Sequence, residues 1–239
     1  MIARLGFFRF IADGNPLCLL EDALSSYGDS LPGSLVVLPE AVNYGKTYYL
    51  YDKDAPMLPP GDAARKLAAL SRAYGVVFVA GLLDRQCRCN SAYLIRSQGE
   101  PALMRHKTRG DCTQSYDACE APCGKNPINS QDACIGALIC NEAECHAAWL
   151  AQELDRHAGP RRKVICIPAS MTSTYLSGDS LDSAPWFSGK YYTVLANSRP
   201  CPDGTKSFIT NKRGLKAPDS EPHGGLFLKP WHELDSLGE

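Results

Sequence analysis

Residues 135–154 read IGALICNEAECHAAWLAQEL and join two patterns that indicate the architecture of the chain. The first five residues form a short apolar run, which is typical of a β-strand buried on both faces. After Cys140, apolar residues recur at the spacing of an amphipathic helix, at Ala143, Ala147, Leu150 and Leu154. The segment therefore predicts a buried strand, a sharp turn that carries Cys140, and a helix.

The same alternation of apolar runs and helical stripes extends over most of the chain. Further runs predict strands at 34–38, 75–83, 92–96, 163–167 and 192–196, and helical stripes lie within 17–27 and 67–74. This order predicts an α/β layered domain. Because the alternation continues through the Pro/Gly-rich segments, we expect a single domain over 1–239. After residue 199 the pattern weakens, and 206–210 and 225–228 predict a final hairpin.

The composition excludes several classes of protein and partner. Hydrophobic residues make up 44% and charged residues 21% of the 239, which excludes a disordered, collagenous or coiled-coil chain. The formal net charge of -1 provides no basic field for nucleic acid or an anionic membrane. The N-terminal stretch lacks the pattern of a secretory signal, and no segment has the apolar length of a membrane span. We therefore expect a cytoplasmic protein without nucleic-acid or membrane partners.

Cysteine is unusually frequent, with 11 residues. An odd number cannot pair completely within one chain, so at least one thiol is free in a monomer without metal. In a reducing compartment, many cysteines indicate metal ligands, reactive thiols or small buried hydrophobes.

Cys140 is the cysteine whose context predicts chemistry. A strand-to-helix turn exposes the sulfur above the sheet and close to a helix N-terminus. The helix dipole and the backbone N–H groups of the first turn are expected to lower the thiol pKa, and the same N–H groups can stabilise an oxyanion. A buried structural cysteine at a strand end is the alternative interpretation.

Two further chemically useful side chains follow predicted strands. Glu40 comes just after the run SLVVL at 34–38, and Lys107 follows the short run ALMRH at 102–106. Alone, each is more typical of an exposed acid or a solvated loop lysine. Because functional groups of open α/β sheets lie beyond the carboxyl ends of the strands, Glu40, Lys107 and Cys140 are together expected to converge at one edge.

In their order and in the short motifs around them, these residues resemble the glutamate, lysine and cysteine of the nitrilase superfamily of carbon-nitrogen hydrolases. Five landmarks carry the resemblance: LVVLPE at 35–40, NSA at 90–92, RHK at 105–107, ICNE at 139–142 and IPAS at 167–170. They occur in the family's order and span most of the chain.

The resemblance implies a four-layer αββα sandwich and a hydrolase that cleaves an amide, nitrile or N-carbamoyl C–N bond. Cys140 would be the nucleophile and form a thioester, with Glu40 as general base. Lys107 and the backbone N–H of Asn141 would stabilise the oxyanion. The implied partners are a small-molecule substrate and water, with no metal or other cofactor. A homodimer or higher homo-oligomer is also implied.

The chain departs from the family pattern at two places. The family often has a second glutamate between its lysine and its cysteine, and Glu120 is the only glutamate in that interval here, close to Asp117. Glu120 is therefore the candidate for the second active-site carboxylate. The family's RFPE-like turn after the cysteine is replaced by AECH at 143–146, so substrate contacts from that turn cannot be transferred.

Two other classes of function remain open at this stage. The cysteines around 112–145 and His146 suggest a zinc or iron–sulfur protein, although the usual paired two-residue spacing is absent. The second alternative is a catalytically silent binding module on the same fold, since fold alone does not establish activity.

Overall fold

The computed structural model describes residues 1–9, 14–44, 58–84, 89–107, 125–170, 190–197, 207–217 and 225–238. The strands are β1 (Arg4–Phe8), β2 (Ser34–Val37), β3 (Val77–Asp84), β4 (Cys89–Ile95), β5 (Ala102–His106), β6 (Ile128–Asn129), β7 (Ala133–Ala137), β8 (Arg162–Ala169), β9 (Tyr192–Asn197), β10 (Phe208–Thr210) and β11 (Leu226–Pro230). The helices are α1 (Pro16–Tyr27), α2 (Pro60–Tyr74), α3 (Glu142–Cys145), α4 (Ala147–His157) and α5 (Trp231–Ser236), with a 3₁₀ turn at Gly28–Ser30.

The described strands form two sheets. One sheet has the order β11-β1-β2-β3-β4-β5 and the other the order β10-β9-β8-β7-β6. Both sheets have a parallel centre, β1-β2-β3 in the first and β7-β8-β9 in the second, with antiparallel strands outside it. In each centre the carboxyl ends of neighbouring strands therefore share one edge.

Three large apolar clusters fill the space between the layers. Alternate residues of β2 divide between two of them: Leu35 and Val37 belong to the core between the sheets, and Val36 belongs to the core beneath α1 and α2. The third cluster lies between α4 and the five-stranded sheet. Strands buried on both faces explain the continuous apolar runs in the sequence. The predicted αββα sandwich is confirmed.

Local sequence signals set the helix ends. The side chain of Asn15 accepts a hydrogen bond from the Leu17 N–H at 2.9 Å, which caps α1 just before Pro16. Gly75, in the left-handed conformation with φ of 66°, ends α2. The predicted helical stripes therefore lie on α1 and α2.

The predicted C-terminal hairpin is wrong. β10 pairs with β9 in the five-stranded sheet, whereas β11 pairs with β1 in the six-stranded sheet. Both short strands are edge strands. β10 pairs with the strand just before it in the chain, whereas β11 pairs with the distant β1, and local patterning does not report that long-range pairing. The apolar pattern also left two strands unpredicted, β1 and β6.

None of the helices in the described ranges is both long enough and apolar enough to cross a membrane.

Candidate active site

Glu40, Lys107 and Cys140 are brought together from both sheets. Glu40 and Lys107 follow β2 and β5 of the six-stranded sheet, and Cys140 follows β7 of the five-stranded sheet. The end of β8 holds two of these segments: the Cys140 N–H donates to the Pro168 carbonyl at 2.9 Å, and the Glu40 N–H donates to the Ala169 carbonyl at 3.3 Å. Backbone hydrogen bonds thus set how closely the segments carrying Glu40 and Cys140 approach.

A buried ion pair occupies one side of the site. Lys107 Nζ lies 2.8 Å from Glu40 Oε1, and the two residues are 5% and 3% exposed. The side-chain amide of Asn90 donates to the same carboxylate oxygen at 2.6 Å. A buried charge is tolerated when it is paired and hydrogen-bonded, and Glu40 meets both conditions.

Cys140 has the backbone conformation of a nucleophile elbow. Its φ is 54°, in the left-handed region that L-residues other than glycine seldom adopt. α3 begins two residues later, and the Ala143 N–H donates to the Cys140 carbonyl at 3.1 Å. The strained turn presents the partly buried sulfur between the ends of the two sheets.

The surroundings of Cys140 raise the pKa of its thiol to about 12. Burial is the largest cause, followed by the Glu40 carboxylate, whose charge and hydrogen bond with the thiol both favour the protonated form. The Lys107 ammonium and a hydrogen bond from the Ser170 backbone act in the opposite direction. The expectation that a helix N-terminus lowers this pKa is therefore wrong. α3 has only four residues, and burial outweighs its dipole. Near neutral pH the sulfur is a thiol that needs a base.

The two remaining predicted site residues are Asn141 and Glu120. Asn141 directly follows Cys140 and precedes α3, with φ and ψ of -64° and -11°. Its backbone N–H contact with an oxyanion stays a prediction. Glu120, like the loop cysteines Cys112, Cys119 and Cys123, lies outside the described residues.

Other side chains around the site had no role assigned from sequence. Asn90 and the buried pair of Arg105 and Glu142 lie within the quoted landmarks NSA, RHK and ICNE. A buried amide or ion pair has no local sequence signal, because its partner lies in a distant segment. Only the polar residue type inside an apolar strand pattern could have indicated them.

Gly81 in β3 allows the two sheets to approach closely beside the site. A Cβ atom at this position would lie 2.8 Å from the Cα of Glu40 and 3.1 Å from the Cβ of Pro168. Contacts that short require the backbone of Glu40 to shift, because the Cα atom is part of the backbone and cannot move away by a side-chain rotation. A side chain larger than hydrogen is thus incompatible with the observed position of Glu40.

We expect Gly81→Ala to lower the turnover of folded protein about 100-fold, because small displacements of reacting groups have effects of this size. The free energy of unfolding should fall by about 1–3 kcal/mol through overpacking. Steady-state kinetics and urea unfolding measure the two effects. Gly61→Ala is the control, because a Cβ there meets only Arg65 Nη1 at 3.8 Å. Wild-type turnover in Gly81→Ala would show that the close approach does not position Glu40.

Among the described residues, no cluster of three or more His, Cys, Asp or Glu side chains is arranged to hold a metal ion. Cys134 and Cys166 are instead buried in apolar clusters, and Cys18 is exposed on α1. The first two have the surroundings of small buried hydrophobes.

Cys166 is expected to make stability sensitive to alkaline pH. Burial raises the pKa of this thiol above its ordinary value of 9.0. As pH rises past about 9, the unfolded chain loses the proton while the folded chain keeps it, so the free energy of unfolding falls by up to about 1.4 kcal/mol per pH unit. Urea unfolding between pH 7.5 and 10 should show a shallower decline for Cys166→Ala than for wild type. Cys18→Ala, which changes an exposed thiol, should follow wild type. If the free energy of unfolding of Cys166→Ala and of wild type declined equally with pH, Cys166 would not be the source of the alkaline sensitivity.

A two-sheet sandwich with a Glu–Lys–Cys cluster at its strand ends defines a class of hydrolase fold, and the sequence comparison agrees. The carbon-nitrogen hydrolase family model matches residues 19–158, which include Glu40, Lys107 and Cys140. The chain belongs to the carbon-nitrogen hydrolase family, within the nitrilase superfamily. No curated protein matches it.

Solved structures share the fold at low sequence identity. Nit3 of Saccharomyces cerevisiae, a member of branch 10 of the nitrilase superfamily, is 14% identical with a TM-score of 0.63, covering 98% of this chain and 92% of Nit3. An amidase from Nesterenkonia sp. is 16% identical with a TM-score of 0.67, covering 98% and 92%. A carbon-nitrogen hydrolase from Helicobacter pylori G27 is 14% identical with a TM-score of 0.64, covering 95% and 88%. The predicted nitrilase-like fold is thus confirmed.

Proposed function

We propose that the protein is a thiol hydrolase that cleaves a non-peptide C–N bond of a small molecule through a cysteine thioester. The observation that carries the proposal is the buried carboxylate of Glu40, which bonds both the Lys107 ammonium and the Cys140 thiol. One carboxylate therefore contacts the group that must lose a proton and the group that can oppose negative charge. General-base catalysis and oxyanion stabilisation require these contacts.

The first half of the reaction forms the thioester. Glu40 takes the proton of the Cys140 thiol, and the sulfur attacks the carbon of an amide. The C=O electron pair moves onto oxygen, where Lys107 and the backbone N–H of Asn141 stabilise the negative charge. When the intermediate collapses, the C–N bond breaks and the proton held by Glu40 passes to the departing ammonia or amine.

The second half releases the acid. Glu40, ionised again, removes a proton from water, and the hydroxide attacks the thioester carbon. The C–S bond then breaks, and the Glu40 proton returns to the Cys140 sulfur. The net reaction consumes one amide and one water, and it yields one carboxylic acid and one amine or ammonia. No step needs an oxidant or reductant.

The relatives suggest where to begin the substrate search. One mutant of the Nesterenkonia amidase has been solved in complex with butyramide, and another carries the product of Michael addition of acrylamide at its active site cysteine. Small aliphatic amides are therefore the first substrates to test. Acrylamide is the first covalent probe, since its alkene carbon is an electrophile that a reactive cysteine attacks.

The experiment measures ammonia release from butyramide, butyronitrile and an N-carbamoyl amino acid, and uses peptide mass spectrometry to locate adducts after acid quench. We expect turnover of at least one compound and an acyl adduct on Cys140. Turnover that persists in Cys140→Ala would overturn the thioester mechanism. Absence of turnover and of any Cys140 adduct with acrylamide, together with reversible binding of an amide, would instead support a silent binding module. A cytoplasmic location and homo-oligomeric assembly stay predictions.

A further inference from the structure

A second buried ion pair lies next to the first. Arg105 Nη2 is 2.8 Å from Glu142 Oε1, and the two side chains are 11% and 1% exposed. The Arg105 guanidinium also lies 5.2 Å from the ring centroid of Trp149, an exposed residue of α4. The mechanism above uses neither charge of this pair.

The pair spans the two segments that carry the reacting groups. Arg105 lies in β5, two residues before Lys107, and Glu142 lies at the start of α3, two residues after Cys140. β5 belongs to the six-stranded sheet, whereas α3 follows β7 of the five-stranded sheet. The contact therefore joins the sheets at the level of the site.

Glu142 also holds the backbone of the elbow. Its second carboxylate oxygen, Oε2, accepts a hydrogen bond from the Ile139 N–H at 2.9 Å. Ile139 immediately precedes Cys140, whose φ of 54° is unfavourable without support. One carboxylate thus connects β5, the strand that leads to Lys107, with the peptide just before Cys140.

Stability alone does not account for such a pair. Burying two charges removes their hydration, so replacing a buried ion pair with apolar residues of similar volume is often neutral or stabilising. Burial does lower the pKa of Arg105, while the Glu142 charge and hydrogen bond oppose that change. Fixed geometry is what a hydrogen-bonded ion pair provides and apolar packing does not.

We propose that Arg105 and Glu142 are positioning residues that hold the Lys107 ammonium and the Cys140 sulfur at their working separation across the two sheets. The proposal rests on the hydrolase function proposed above. It assigns these two residues no contact with substrate. Its chemical consequence is that breaking the pair moves the ammonium relative to the sulfur, even though Lys107, Glu40 and Cys140 are all retained.

The test follows alkylation of Cys140 by iodoacetamide, which requires no turnover. Peptide mass spectrometry gives the rate at Cys140 relative to that at exposed Cys18 in the same molecule, between pH 6 and 9. We expect Arg105→Gln and Glu142→Gln to lower this ratio about 10- to 100-fold and to shift its pH profile upward, because Lys107 no longer favours the thiolate. Arg105→Lys should recover most of the rate. With an amide that the enzyme hydrolyses, each single variant should show a larger relative change in kcat than in KM.

The double variant Arg105→Gln/Glu142→Gln separates positioning from stability, because it leaves no uncompensated buried charge. Folding, followed by thermal unfolding, should recover relative to the single variants, while the alkylation ratio stays low. Arg156→Gln breaks an exposed ion pair with Glu153 and should match wild type in both readouts. A folded double variant with the wild-type alkylation ratio and pH profile would overturn the proposal. Because alkylation is read without substrate, a failed hydrolase assignment would not hide this result.

Discussion

Cys140→Ala is expected to reduce hydrolysis about 10⁴-fold or more, the largest effect of any single substitution in this chain. The Cys140 sulfur is the atom that attacks the amide carbon and forms the thioester in the proposed mechanism, and loss of a nucleophile costs enzymes of this kind several powers of ten. The measurement is ammonia release under saturating substrate. The fold should survive, because alanine removes only the sulfur and can be accommodated where a partly buried cysteine lay.

Cys18→Ala is the matched control, since Cys18 is exposed on α1 and is not among the proposed catalytic side chains. It should keep the wild-type rate. Hydrolysis of the same substrate at the wild-type rate by Cys140→Ala would remove the thioester from the mechanism and would leave Glu40 and Lys107 without an assigned nucleophile.

Glu40→Gln is expected to lower kcat by about 10²- to 10⁴-fold, the range in which general acid–base groups contribute. The amide keeps the size of the carboxylate but accepts no proton. With the thiol pKa raised to about 12, a base is needed to form the thiolate near neutral pH. Acylation and deacylation should both slow, so single-turnover measurements of the Cys140 adduct distinguish this variant from one impaired only in binding.

The same substitution leaves the buried Lys107 ammonium without its carboxylate, so stability should fall by about 3–5 kcal/mol. Rates must therefore be normalised to folded protein, measured by circular dichroism. Glu21→Gln serves as control, because Glu21 also pairs with a lysine, Lys66 at 3.5 Å, but at the surface. If folded Glu40→Gln hydrolysed substrate at the rate of Glu21→Gln, Glu40 would not be the base.

Several features of the site could be predicted from local sequence. Glu40 and Cys140 each follow a continuous apolar run, and strands buried on both faces leave little ambiguity about where such a run ends, whereas Lys107 follows the short mixed run ALMRH. The turn at Cys140 was readable because a continuous apolar run changes there to helical spacing. The order of the landmarks then supplied the layered fold.

The features that were mispredicted or missed depend on contacts between distant segments. The thiol pKa had the wrong direction, because burial and the charge of Glu40, 100 positions earlier, outweigh the four-residue helix that the local pattern made visible. The ion pair of Arg105 and Glu142 could not be predicted, since only the packing of the two sheets brings these side chains together. β11 pairs with β1, a strand that local patterning cannot select because it lies far away in the chain.

The division of the site between the two sheets has a consequence for the assembly of the molecule. The first 107 residues contain Glu40 and Lys107, and Cys140 follows only after another 33 positions of chain. Neither sheet by itself carries all three of the proposed catalytic side chains. In the proposed mechanism the three side chains meet only when the two sheets pack together, so the recovery of the native alkylation rate of Cys140 during refolding is expected to follow that packing.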